Sequence, residues 1–143
     1  MKYEDETEIH KLVAAFEDAS IARDVWKHAE HLVVALTYVH EHTFEDATRR
    51  MRDGLFNLLV NGFNVDLSKD MPYHETLTMF WMNTVKDFND EANGLSLMEK
   101  ANRLVETYDK DYPLKFYSRE FLFSDEARAR FVEPDLAPAQ TSN

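Results

Sequence analysis

Apolar residues recur at three- and four-residue intervals along most of this chain, and only three glycines and four prolines interrupt them in 143 positions. That period keeps apolar side chains on one face of a helix, whereas a half-buried strand needs strict alternation. The spacing predicts an all-α single-domain bundle of about five helices. The first runs near Glu6 to Ala19, with Ile9, Leu12, Val13 and Phe16 as its buried stripe. The second follows Asp24 as N-cap and buries Val25, Ala29, Leu32, Leu36 and Val39.

Thr43 caps a third helix carrying Met51, Leu55, Leu58 and Leu59, which closes near Asn61-Gly62 with glycine in the left-handed conformation. Pro72 suits the first position of a fourth, whose stripe is Leu77, Trp81, Val85 and Phe88 and whose stop is Asn93-Gly94. Ser96 and Glu99 read as a capping box for a fifth helix through Tyr108. Beyond Tyr112-Pro113 an aromatic-rich segment (Phe116, Tyr117, Phe121, Phe123, Phe131) is expected to pack across the bundle, around a short helix capped by Ser124. The domain reading is 1–133 as one helical unit and 134–143 as a mobile tail, because the last residues have nothing to bury.

Composition narrows the chemistry. A hydrophobic share of 44% beside a charged share of 30% supports one ordinary core. The acidic start and the absence of a long apolar run lead to the expectation of no leader, no membrane span and a cytoplasmic location. There is no cysteine, so any metal has to be held by histidines and carboxylates. A formal net charge of -11 with scattered basic residues opposes phosphate backbones and argues against nucleic acid as a partner.

At 100° per residue, His28 points toward the apolar stripe of the second helix with His31 one turn on, and His74 aligns with Trp81 and Val85 on the fourth. Short connections make alternate helices parallel, so both pairs lie at one end of the bundle and His28, His31, His74 and Glu75 converge there. Three readings follow. His28, His31 and His74 suit a divalent transition metal (zinc, nickel, iron or manganese), with Glu75 as general base for its water, making a metal-dependent hydrolase or other small-molecule enzyme. Alternatively the two inward histidines are satisfied by backbone, Thr78 or Tyr73, in a non-enzymatic binding or regulatory module that can self-associate. A third reading holds a small organic or anionic ligand at the paired helix N-termini. A metalloprotease motif is excluded, since Thr78 stands where its second histidine belongs. His40 and His42 read as partners of the helix C-terminus, and His10 as surface.

Three segments, Trp26-Lys27-His28-Ala29-Glu30-His31-Leu32, Tyr73-His74-Glu75-Thr76-Leu77-Thr78, and Phe123 through Leu136, resemble an uncharacterised family of small helical bacterial proteins. The likeness runs from about Ile21 to Leu136. It implies the position of a pocket and no reaction. Similar sequences carry a polar Tyr-Asn pair in the third helix, where this chain has Leu58-Leu59.

Overall fold

A helix leaves its first backbone N–H groups without partners, and here side chains just ahead of four of the five long helices accept from them. In the computed structural model, which describes residues 2–136, α1 (Glu6–Glu17) opens on a reciprocal box between Asp5 and Glu8. Thr43 accepts from the Asp46 N–H to open α3 (Phe44–Asn57), and Ser96 with Glu99 opens α5 (Leu97–Thr107), both as the sequence indicates. No strand occurs among the described residues.

The other two long helices start later than expected. Asp24 caps nothing: the Val25 and Trp26 amides turn back to the Ala22 carbonyl, and α2 (His28–Glu41) begins after an extended Lys27. Val25 therefore points outward, 50% exposed, instead of joining the core. Pro72 likewise sits outside its helix. Its fixed φ suits extended chain as well as a helical first turn, and α4 (Glu75–Glu91) starts only after His74, whose side chain is the cap.

The centre of the molecule is α2. Seven consecutive residues, Leu32–Tyr38, are buried, a pattern that belongs to a helix surrounded on all sides rather than one resting on a core. Helices α1, α3, α4 and α5 enclose it. Gly54 permits the close crossing of α1 and α3, because a Cβ there would overlap the Phe16 ring. Helices α2 and α4 run parallel, since His31 and His74 near their starts line one cavity while His40 and Asn89 near their ends share the Lys100 amine.

Helix α3 ends in a wide π-helical turn, Leu58–Gly62. The left-handed residue expected at Gly62 is instead Asn64, with φ 57°. Gly62 is small for another reason: a Cβ there would come within 2.8 Å of the Ala19 carbonyl oxygen. Gly94, with φ 100°, terminates α4 as the sequence indicates.

The aromatic segment folds into a 3₁₀ turn (Tyr112–Lys115) and two short helices, α6 (Arg119–Leu122) and α7 (Asp125–Ala129), the second capped by Ser124 as expected. Tyr117, Leu122, Ala127 and Val132 form a second small core that packs on α4 through Leu77 and Phe80. Phe123 and Phe131 are left 42% and 37% exposed, so the expected aromatic group is only partly internal. The buried Thr76 hydroxyl joins this segment to α4, donating to the Arg130 carbonyl at 2.9 Å and accepting from the Val132 N–H at 3.1 Å. The first residues of the segment assigned to the tail are tied to the fold: Asp135 holds Ser118 through two hydrogen bonds and the Leu136 N–H donates to the Phe116 carbonyl. Residues 137–143 of that tail lie outside the described residues. No described helix is long and apolar enough to cross a membrane.

Candidate functional site

The extended segment ahead of α4 sends alternate side chains to opposite sides. His74 goes inward, and Tyr73 and Glu75 turn together toward α3. The His74 Nδ1 accepts from the Leu77 N–H at 3.1 Å, so it carries no proton, and Nε2–H donates to the Leu122 carbonyl at 2.7 Å. Thr78 donates to the His74 carbonyl at 3.0 Å. Burial, opposed by the Leu122 bond and reinforced by the Arg128 charge, holds the His74 imidazole below its ordinary pKa. Both ring nitrogens are thus committed to the neutral cap.

His28 is anchored separately. Its Nε2–H donates to the Tyr108 carbonyl at the end of α5, 3.0 Å away, and its ring lies 4.9 Å from that of Trp81. Glu75 is held by Arg52, whose Nε and Nη2 donate to its two oxygens at 3.1 and 2.6 Å, and by the Tyr73 hydroxyl at 2.5 Å. Burial pushes the Glu75 carboxyl up, but the Arg52 and Tyr73 hydrogen bonds and the Arg52 charge outweigh it and leave it below the usual range. The same burial, with the bond to Glu75, pushes the Tyr73 phenol up to about 12. A carboxylate so firmly ionised and paired is a weak acceptor for a water proton near neutrality.

His31 is different. Among the described residues its ring nitrogens make no hydrogen bond to protein, and what surface it keeps faces a cavity of about 210 Å³. Trp26, Leu55, Leu58, Leu59, Phe63 and Leu77 supply most of the wall, and Tyr73, His74 and Thr78 complete it. The Trp26 indole lies between the Phe16 ring at 4.9 Å and the His31 ring at 5.8 Å, which fixes the imidazole's orientation. Burial among these groups, with a smaller contribution from the nearby His28, lowers the His31 pKa to about 4. The imidazole is neutral at any physiological pH and offers one donor and one acceptor.

The two histidine motifs therefore meet at one end of the bundle, as the helix order requires, but only His31 and His74 line a common space. No group of three His, Cys, Asp or Glu side chains is placed to hold a metal ion among the described residues. His28, His31 and His74 are accordingly not drawn together as ligands, and Glu75 faces Arg52 rather than a metal-bound water. The polar histidines have plain surface or clamping roles: His10 lies 3.4 Å from Glu41, His42 lies 3.3 Å from Asp46, and His40 Nδ1 accepts from Lys100 at 3.3 Å.

Sequence reasoning missed Arg52, which pairs with Glu75 across 23 positions and two helices with no local signal. Trp26 packs against the main core and at the same time forms part of the cavity wall beside His31. The Leu58-Leu59 pair, where similar sequences are polar, forms the apolar side of that cavity.

Fold and site together define an all-α bundle with an apolar cavity at the parallel starts of two helices. Comparison with protein-family models, curated proteins and solved structures finds no match to this chain.

Proposed function

We propose that this protein binds a small, uncharged, mostly apolar molecule with one hydrogen-bonding group in the cavity between the starts of α2 and α4. The observation that carries this reading is the His31 imidazole, neutral and without a protein partner among the described residues, in a wall made mostly of Trp26, Leu55, Leu58, Leu59, Phe63 and Leu77. Ligand pockets combine such apolar walls with a few oriented polar groups, and a ligand that hydrogen-bonds the partly buried His31 ring gains affinity from it. A cavity of roughly 150 Å³ already accepts benzene, so the 210 Å³ here suits a single ring with a short substituent. Among the described residues a metal ion has no ligand set here, and a charged ligand has no countercharge in the wall.

Phenol and toluene differ by one hydroxyl and test the reading directly. Titration into isotope-labelled protein is expected to shift the amides of Leu58, Leu59 and Thr78, with phenol binding about tenfold tighter, the worth of one hydrogen bond. In His31→Phe the two should bind alike. If neither compound moves these amides, or if phenol keeps its advantage without His31, the proposal is wrong.

A further inference from the structure

On the other face of Tyr73 lies a second cavity, of about 430 Å³, with Phe56, Met71, Tyr73 and Ala129 as its apolar wall and Arg52, Glu75 and Arg128 at its edges. The Phe56 and Tyr73 rings stack with centroids 4.5 Å apart and 30° between planes, giving a rigid flat wall. The two arginines are not equivalent. Arg52 is neutralised by its paired hydrogen bonds to Glu75. Arg128, half-buried on α7, makes neither an ion pair nor a side-chain hydrogen bond among the described residues, and its guanidinium rests 5.8 Å from the centre of the Phe123 ring. The neighbouring Arg130 shows what is usual on the same turn, pairing with Glu126 four residues back.

We infer that this cavity is a second binding site, for a small aromatic or alkyl monocarboxylate whose apolar body lies on the Phe56–Tyr73 wall and whose carboxylate pairs with Arg128. A guanidinium presents two parallel N–H groups that match a carboxylate's two oxygens, and removal from water on one side strengthens that pair. Asp70 and Asp125 line the outer cavity that shares Met71, Arg128 and Ala129 with this one, without pairing with the arginine. Their charge, added to the overall -11, opposes a multiply charged anion and favours one that carries a single charge and an apolar body. This site is separate from the His31 cavity and stands or falls without it.

The test compares benzoate, benzamide and inorganic phosphate by amide and methionine-methyl shifts in the full chain. Benzoate is expected to move Met71, Ala129 and Phe56 rather than Leu58 and Thr78, and to bind at least about tenfold tighter than benzamide. Arg128→Gln should erase that difference, and Arg128→Lys should keep part of it, since charge remains and the fork is lost. Each variant's amide spectrum away from the cavity shows that the fold is intact. The inference is overturned if benzamide binds as well as benzoate as read at Met71, Ala129 and Phe56, if phosphate competes equally with benzoate there, or if Arg128→Gln leaves benzoate affinity at those residues unchanged.

Discussion

The two ends of the α2–α4 pair are built on opposite principles. Where the helices finish, the buried Lys100 amine reaches up from α5, donating to Asn89 at 2.7 Å and to His40 at 3.3 Å, and closes the space between them. Where they start, His31 faces a mostly apolar cavity and has no protein partner among the described residues. A buried ammonium is tolerable between two helix C-termini because their exposed carbonyls carry partial negative charge. At the N-termini the sign reverses, a cation gains nothing from the helices, and the titratable group there stays neutral. One end is closed by charge, and the other is held open by uncharged groups.

Acid should separate the ends most strongly. The His31 pKa is lowered to about 4 in the folded chain against 6.5 in the unfolded one, so as pH falls below 6.5 the unfolded state takes up a proton that the native state refuses. Stability therefore drops on acidification, by about 2 kcal/mol for His31 alone between pH 7 and 5. His74, also lowered, adds to the same slope. Urea unfolding at the two pH values is expected to show the loss, reduced by about one proton's worth in His31→Phe. An unchanged slope in that variant would place the neutral imidazole elsewhere.

Replacing Lys100 with methionine probes the closed end. It keeps the stem but leaves the Asn89 and His40 acceptors without their donor, and about 2 kcal/mol of stability should be lost. Thr76→Val is expected to cost a little less, about 1–2 kcal/mol, by stranding the Arg130 carbonyl and the Val132 amide. Its signature is local: hydrogen exchange should rise in residues 119–136 before it rises in α2. The smallest effect has the opposite sign. His31→Phe, measured at pH 7, should stabilise the fold by about 1 kcal/mol by removing an unpartnered polar group from the apolar wall. A polar-to-apolar change thus destabilises one end and stabilises the other, and equal signs would undo the contrast.

Much of this was legible from residue spacing. Thr43, Ser96, Ser124 and Gly94 act where short-range rules place them, because a cap involves only neighbours three or four positions away. The parallel course of α2 and α4 also followed from helix order. Val25 and Pro72 misled because periodicity continues through a turn and an extended segment as readily as through a helix, and only tertiary contacts decide where the helical hydrogen bonds begin. Of the four site residues, His31 and His74 line one cavity, whereas His28 and Glu75 are held by other partners. Helical projection puts a side chain on a face, but it cannot see that Leu122 and Tyr108 offer carbonyls to His74 and His28, or that Arg52 draws Glu75 away.

The cap that His74 provides for α4 has a consequence in time as well as in space. Its Nε2–H is held by the carbonyl of Leu122, 48 positions further along the chain. Chains are made at about 5–20 residues per second, so roughly two to ten seconds separate the synthesis of the cap from that of its support. During that interval α1, α2 and α3 have all their residues, and the residues that line the His31 cavity follow within the first turn of α4, whereas the cap of α4 still lacks the segment that holds its ring. A nascent bundle therefore passes through a state in which the His74 ring lacks the carbonyl that fixes it, and the start of α4 takes its final form only when residues far along the chain arrive.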